Sequence, residues 1–184
     1  MLHDTEKTAQ RLASWIEDLS RFDLPDWVAL PQLDLYMDQV VILLTRYLAP
    51  MSGGEGAITA STVNNYVRMK IMPPPVKKKY SRVHIAYLII ICTLKQSLSI
   101  SCIQRLLPED RSEASVQALY REFVGQFRAA AAFIRRLPEV ELPLRLDSSS
   151  LAMTSAILST LSKVLTEFLL REEGELYEED GYDE

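Results

Sequence analysis

The 184-residue sequence is poor in the residues from which most metal centres are built. It contains two cysteines, Cys92 and Cys102, and two histidines, and no Cys-x-x-Cys pair. No usual zinc-site spacing can be completed from these four residues. The two cysteines stand ten residues apart in a stretch that predicts helix, so we interpret both as small buried apolar side chains. We therefore expect no metal and no cofactor.

Long apolar runs are also missing. The longest run, residues 86–94, is interrupted by Tyr87 and Thr93 and is too short to span a bilayer. The first residues include Asp4 and Glu6 and show no apolar signal segment. Two cysteines without such a segment are typical of a reducing compartment. The expectation is a cytoplasmic protein that does not contact a membrane.

Recognisable catalytic motifs are absent too. Asp34 and Asp38 could share a helix face, but no base or metal ligand accompanies them, so we interpret them as surface carboxylates. The glycine-rich stretch at 53–56 lacks the Gly-Lys-Ser/Thr ending of a phosphate loop and predicts a flexible linker. His84 begins an apolar helix, where a partly buried or capping role is expected. The sequence therefore predicts a protein that is not an enzyme.

What the sequence does contain is a basic segment between two acidic ones. The net charge is −5, yet residues 59–112 carry nine bases and two acids. Residues 1–58 carry nine acids and four bases, and residues 171–184 carry eight acids and one base. Because the net charge averages over these segments, it hides a local positive field. The central segment is a candidate for contact with an anionic partner.

The spacing of apolar residues predicts an all-α fold. Residues 71–80 are the exception, because three consecutive prolines and three consecutive lysines favour an extended segment or a small hairpin. The acidic residues 172–184 predict a disordered tail. The predicted helices cover 4–20, 33–48, 59–69, 81–97, 99–107, 110–137 and 148–170. The predicted caps are Thr59 or Ser61, then Ser81, Ser99 and Asp110, the last in a capping box with Glu113.

Residues 58–107 carry the chemistry that indicates function. Their first helix is rich in hydroxyl and amide side chains, and six bases with no acid lie between Asn64 and Arg82. Asparagine can form a bidentate contact with an adenine edge, serine and threonine can reach bases or phosphates, and lysines suit phosphate contacts. The candidate DNA-binding residues are Ser61, Thr62, Asn64, Asn65, Tyr66, Arg68, Lys70, Lys77, Lys78, Lys79, Tyr80 and Arg82.

The order of these elements resembles the DNA-binding head of the MerR superfamily. A polar helix with Tyr66 precedes the turn "IMPPP", a basic wing that ends at Tyr80–Ser81, an apolar helix and the short helix 98–107. The corresponding family pattern is a tyrosine motif, a "GLLPP" turn, a basic wing and two helices. The resemblance implies that the short polar helix enters the major groove and that the wing holds the DNA backbone.

A closer similarity covers residues 24–107. The stretches "LPDWVALPQLDLYMDQVVILLTRYLAP" and "TVNNYVRMKIMPPPVKKKYSR" are similar to a bacterial family catalogued as domain of unknown function 1836, which is described as MerR-like. Three features depart from the MerR pattern. About ten residues separate the helix 33–48 from the polar helix, Asn64–Asn65 replace an expected arginine, and the wing lacks a hairpin glycine.

The chain is predicted to divide into a helix-turn-helix domain at 1–110, a helical region at 111–171 and the tail at 172–184. The helical region has apolar stripes that are expected to form the other half of one core. Two alternatives for it are a dimerising helical hairpin and a pocket for an effector. MerR-type proteins dimerise through a long C-terminal helix, so the resemblance implies a homodimer.

The leading hypothesis is a DNA-binding transcriptional regulator without catalysis, whose partner is double-stranded DNA. The alternative is a protein-interaction adaptor that keeps the MerR-like fold without reading DNA. The lysine run 77–79 could also be a solubilising loop, but its position beside a polar helix favours the DNA interpretation.

Overall fold

A computed structural model describes residues 22–49, 58–136, 158–159 and 162–163 of the chain. Within these ranges the chain is helical, and its only extended pairings are two isolated bridges. This finding confirms the predicted all-α class. The helices are α1 (Met37–Leu48), α2 (Ala60–Arg68), α3 (Arg82–Leu94), α4 (Ile100–Leu106) and α5 (Glu113–Arg136), preceded by a short 3-10 helix at Trp27–Ala29.

Helix α3 is the centre of the core. Every residue from His84 to Ile91 is buried, because the sequence of this helix is apolar on all sides. Helices α1 and α5 both pack against α3, and α2 packs against α1. Burial of an apolar side chain stabilises a fold by about 25 cal/mol for each Å² removed from water, so this helix is the main source of packing energy.

The segment before α1 and the long helix α5 are joined by polar contacts. The Tyr120 hydroxyl donates to the Pro25 carbonyl oxygen over 2.8 Å. The guanidinium of Arg128 donates to both carboxylate oxygens of Asp23, at 2.8 Å from Nε and 2.6 Å from Nη2, and Nη1 donates to Asp26 at 3.0 Å. These contacts hold residues 23–26 against α5.

Local cap chemistry explains most helix starts. The Thr59 hydroxyl accepts from the Thr62 amide at 3.2 Å, and the Ser99 hydroxyl accepts from the Cys102 amide at 3.3 Å, as predicted. The start of α5 differs from the prediction. Its capping hydroxyl is that of Ser112, which accepts from the Ser115 amide at 3.3 Å. The Asp110 carboxylate instead accepts from both of these serine hydroxyls, so the predicted capping box of Asp110 with Glu113 was wrong.

Two further boundaries differ from the sequence prediction. Helix α1 begins at Met37 rather than near residue 33, because Leu35 pairs with Tyr80 and Tyr36 is the N-cap. Helix α3 ends at Leu94 rather than near residue 97. The predicted helix 4–20, the tail 172–184 and nearly all of the predicted helix 148–170 lie outside the described residues. Across the described ranges, no helix has the length and apolar character needed to cross a membrane.

Candidate nucleic-acid interface

Helix α2 is anchored along one face and exposed along the other. Val63 and Tyr66 are buried in the core, and Val67 is half-buried. The exposed face carries Ser61, Asn64, Asn65 and Arg68. A nine-residue helix with few apolar residues is held by tertiary packing rather than by its own propensity. The packing therefore orients this polar face outward.

Tyr66 belongs to the anchor rather than to the exposed face. Its hydroxyl lies beside the Cys92 thiol of α3. Burial, and after it the neighbouring Cys92, raises the pKa of Tyr66 to about 12. Burial likewise raises the pKa of Cys92 to about 12, so this thiol is protonated and unreactive at neutral pH. Tyr66 is therefore removed from the set of residues that can contact a ligand.

The two asparagines of α2 differ in what their amides can do. The Asn65 side-chain oxygen accepts a hydrogen bond from the Arg68 guanidinium. Asn64 is exposed and its amide has no hydrogen-bond partner among the described residues. Bidentate contact with adenine needs both the oxygen and the nitrogen of one amide. Asn64 thus offers both groups of its amide to a ligand, whereas the amide of Asn65 is paired with Arg68.

Helix α2 ends in a Schellman motif with lysine in the position that usually holds glycine. The Ile71 amide donates to the Tyr66 carbonyl at 3.1 Å, and the Lys70 amide donates to the Val67 carbonyl at 3.0 Å. Lys70 has a φ of 57°, in the left-handed region. The turn projects the exposed Lys70 side chain at the end of the polar helix.

The basic segment closes in a two-residue turn. Val76 and Lys79 exchange backbone hydrogen bonds of 3.1 and 2.9 Å, with Lys77 and Lys78 between them. These two lysines have φ values of 50° and 64°. Positive φ at both central residues is the requirement of a type I′ hairpin turn, which normally selects Asn-Gly. The hairpin therefore forms without glycine, and both exposed lysines project from its tip.

Strained backbone in the described residues coincides with the basic surface. Lys70, Lys77 and Lys78 are the non-glycine residues with positive φ within those ranges. For residues other than Gly, Asn and Asp, this conformation is less stable than right-handed backbone by roughly 1 kcal/mol or more. Lysine contributes nothing to the turn itself that Gly or Asn would not provide. The cost at three positions points to a use for the charged side chains.

The wing, defined here as residues 74–80, is fastened at both ends. Leu35 and Tyr80 exchange backbone hydrogen bonds of 2.9 and 2.8 Å. Tyr80 is buried, and its ring stacks edge-on against His84 with the ring centres 5.5 Å apart. His84 Nε2 hydrogen-bonds the Pro74 carbonyl at 3.1 Å. These contacts hold both ends of the wing against the rest of the fold. Tyr80 is part of this attachment and is not exposed for contact with a ligand.

Two of the residues predicted to contact the DNA backbone also make contacts within the protein, and they differ in what this leaves free. Lys79 Nζ lies 5.2 Å from the ring centre of Tyr36, a cation–π distance. The Arg82 guanidinium lies 5.6 Å from the Trp27 ring centre, and its Nη2 donates to the Leu30 carbonyl at 3.3 Å. Arg82 is half-buried, and its Nε has no hydrogen-bond partner in the described part of the chain. Arg82 therefore joins α3 to the 3-10 segment and is not part of the candidate interface.

A groove lies between α1, the start of α2 and the wing tip. Its volume is about 870 Å³, and it is lined by Tyr36 and Ile42 of the α1 region, by Thr59 and Ala60, and by Lys78. The lining shows that the wing tip and the N-terminal end of α2 border the same depression. Tyr36 and Ile42 are 52% and 70% exposed. The sequence did not indicate this groove, because Thr59, Ala60 and Lys78 come to lie beside α1 only in the folded chain.

Some of the residues predicted to bind DNA are not exposed to solvent in the structure. Thr62 is half-buried, and its hydroxyl pairs with that of Thr59 over 2.9 Å. Among the described residues, no three His, Cys, Asp or Glu side chains gather as a metal site would require. The predicted residues that remain exposed on α2, on the turn after it and on the wing are Ser61, Asn64, Asn65, Arg68, Lys70, Lys77 and Lys78, and Lys79 is partly exposed.

Comparison with known proteins gives one result. A protein-family model described as Domain of unknown function (DUF1836) matches residues 25–123, more than half of the chain. No curated protein and no solved structure matches. The matched range contains α1 to α4, the wing and the first part of α5.

Proposed function

The chain belongs to the DUF1836 family, and on that premise we propose that it is a DNA-binding transcriptional regulator of MerR-like type without catalytic activity. In this proposal α2 enters the major groove of double-stranded DNA, and the lysines at its end and on the wing hold the phosphate backbone. A homodimer, which the MerR resemblance implies, would place two such heads on one duplex.

The strained lysines are the observation that carries the proposal. Lys70, Lys77 and Lys78 all occupy left-handed backbone positions where Gly or Asn would be less costly. A solubilising loop needs charge but has no reason to place it at strained positions of a rigid turn. A phosphate-binding surface does, because fixed cations lose less freedom when they bind. The backbone geometry therefore supports the DNA interpretation over that of a solubilising loop.

The exposed face of α2 supplies the base-reading groups. Asn64 offers an unengaged amide to a base edge, and Ser61 stands three residues earlier on the helix. Arg68, oriented by Asn65, stands one turn after Asn64 and can reach a guanine edge or a phosphate. These three side chains follow one another along one helical stripe, as a recognition helix requires.

The phosphate contacts can be counted from the exposed cations. Arg68, Lys70, Lys77, Lys78 and Lys79 remain available once Arg82 is assigned to the core. If all five neutralise phosphates, the logarithm of the association constant should fall with the logarithm of salt concentration with a slope of about −4.5 per head. A slope near zero would instead mean that these cations do not contact phosphates.

A charge-reversal experiment tests the proposal. The variant has Lys77, Lys78 and Lys79 replaced by Glu, and its matched control has Arg46, Lys95 and Arg121 replaced by Glu. Both variants change the net charge equally, but the control residues are exposed cations outside α2 and the wing. Fluorescence anisotropy with genomic DNA fragments should show binding abolished in the wing variant and largely retained in the control. Equal losses in both variants would overturn the assignment.

One observation favours a second candidate, the protein-interaction adaptor. Exposed Tyr36 and Ile42 line an apolar groove directly beside Lys78, and apolar surface of this kind is typical of protein contacts. Salt-sensitive DNA binding by the native chain separates the two, and the neutral substitution Ile42→Asn shows whether the groove takes part in it. DNA affinity should stay nearly unchanged if the lysines bind phosphate, whereas an adaptor would show no salt-sensitive DNA affinity in any variant.

A further inference from the structure

A second and smaller pocket lies beside the C-terminal end of α2. Its volume is about 210 Å³, and Lys70, Tyr87, Gln104, Glu109 and Arg111 contribute polar side chains to its lining. Lys70 closes α2, Tyr87 belongs to α3, and the other three come from α4 and the loop that follows it. The pocket is thus enclosed by four parts of the fold.

Tyr87 brings an unpaired polar group to this pocket. The residue is 1% exposed, and within the described ranges its hydroxyl has no hydrogen-bond partner. Burial is the largest cause of the raised pKa of Tyr87; the charge of Arg111, which lines the same pocket, opposes the shift, and that of Asp110 adds to it. Tyr87 and residues 107–109 thus border one space. A buried hydroxyl without a partner is costly, so a ligand that accepts its proton would relieve that cost.

The remaining polar groups are arranged around two cations. Arg111 Nη2 donates to the Lys70 carbonyl at 2.8 Å, which holds the guanidinium at the pocket and leaves its other N–H groups for a ligand. Gln104 Nε2 donates to the Met69 carbonyl at 3.3 Å, so both side chains are held at the end of α2. Lys70 and Arg111 both carry positive charge, against the single lining carboxylate of Glu109.

We propose that this pocket binds a small organic anion whose carboxylate or phosphate oxygens accept hydrogen bonds from the Tyr87 hydroxyl and the Arg111 guanidinium. Lys70 contributes the second positive charge. The volume is below that of pockets for drug-sized ligands, so the anion is of the size of an amino acid or a short-chain acid. Glu109 can pair with an ammonium group if the anion carries one.

A titration followed by amide and side-chain NMR tests the site with three probes: inorganic phosphate, propionate and alanine. The expected result is a saturable shift of the Lys70 amide and of the Gln104 and Arg111 side-chain signals with at least one probe. Phosphate and propionate distinguish the two anion types, and alanine against propionate reports the contribution of Glu109. Absence of a saturable shift with all three probes at millimolar concentration overturns the proposal.

Two variants make the test specific. Tyr87→Phe should weaken the affinity for the responding probe by about fivefold, and Arg111→Met by about tenfold or more, while the exposed Arg46→Met leaves it unchanged. Without probe, Tyr87→Phe should melt at the same temperature as the native chain or higher, because it removes an unsatisfied group. A clear loss of stability would show that the hydroxyl is bonded within the protein and would contradict the proposal. The titration needs no DNA, so its outcome is independent of the proposed DNA binding.

Discussion

The imidazole of His84 is hydrogen-bonded through Nε2 to the carbonyl oxygen of Pro74 over 3.1 Å, which joins the first turn of α3 to the start of the wing. On the other side of the ring, Nδ1 accepts from the Ser81 backbone amide at 3.0 Å. A backbone amide can only donate and a carbonyl can only accept, so the ring must be neutral with its proton on Nε2. The capping role predicted for His84 is confirmed by this geometry.

The neutral state of His84 predicts a dependence of stability on acidity. Burial lowers the pKa of His84 below its ordinary value, although the Pro74 carbonyl and Asp34 partly oppose the shift. The unfolded chain therefore binds a proton more readily than the folded chain. The contribution of His84 to stability is fully present above about pH 6.5 and is lost as the pH falls through the lowered pKa of the folded state.

The measurement for His84 is chemical denaturation of the native chain and of His84→Gln between pH 5 and 8. At pH 8 the substitution should lower the free energy of unfolding by about 1–2 kcal/mol, because it disturbs two hydrogen bonds of buried backbone groups. At pH 5 the difference in the free energy of unfolding should be smaller, since the native chain has by then lost part of the stability that neutral His84 contributes. A constant difference across the range would show that His84 does not titrate with folding.

The wing turn predicts opposite effects on stability and on binding. Replacing Lys77–Lys78 by Asn-Gly relieves the positive φ of two lysines, so the free energy of unfolding should rise by about 1 kcal/mol. The same change removes two phosphate contacts and should reduce the salt slope of DNA binding by about 1.8. Thermal denaturation and anisotropy measure the two effects.

The control for the wing is Lys77→Ala with Lys78→Ala. It removes the same charges but keeps β-carbon atoms at positive φ, so it should lose DNA affinity without gaining stability. A gain in stability equal to that of Asn-Gly would mean that charge repulsion, and not backbone strain, limits the native turn.

The end of α2 offers a separate test of strain. Lys70→Gly should stabilise the chain by up to about 1 kcal/mol, because glycine is the preferred residue in the left-handed position of a Schellman motif. Lys70→Ala keeps the strain and should bring no such gain. Urea denaturation of the two variants measures the difference, and equal midpoints would show that the turn imposes no strain on Lys70.

The exposed amide of Asn64 predicts an effect on sequence preference. In the duplex that is selected most strongly from a random pool, Asn64→Ala should lose about 1–3 kcal/mol of discrimination at one base pair. Its salt slope should stay close to that of the native chain, because no phosphate contact is removed. The matched substitution Asn65→Ala releases Arg68 and should blunt discrimination at the neighbouring position instead. Unchanged specificity in both variants would place base reading elsewhere.

The features that the sequence predicted correctly are local. Thr59, Ser81 and Ser99 each cap the helix that follows, because cap chemistry depends on residues three positions apart. The burial of α3 could also be predicted from the sequence, since a helix that is apolar on all sides must lie inside a fold. Pro and Lys runs correctly indicated that residues 74–80 are not helical.

The features that the sequence did not reveal depend on distant contacts. Helix α1 starts late because Leu35 pairs with Tyr80, and no local signal marks that bridge. The sequence predicted that Arg82 contacts phosphate. In the structure its guanidinium lies against Trp27 and donates to the Leu30 carbonyl, 52 residues earlier in the chain. The sequence did not predict the positive φ of Lys77 and Lys78, because the turn lacks the glycine by which such turns are recognised.

The central claim is that the cations of α2 and the wing bind DNA phosphates, and the salt slope tests it most directly. Anisotropy titrations of one duplex at several salt concentrations should give a slope of about −4.5 per head for the native chain. The variant with Glu at positions 77, 78 and 79 should give about −1.8 or lose measurable binding, while the Arg46, Lys95 and Arg121 control keeps the native slope. No binding by the native chain at low salt, or the same slope in all three proteins, would contradict the account.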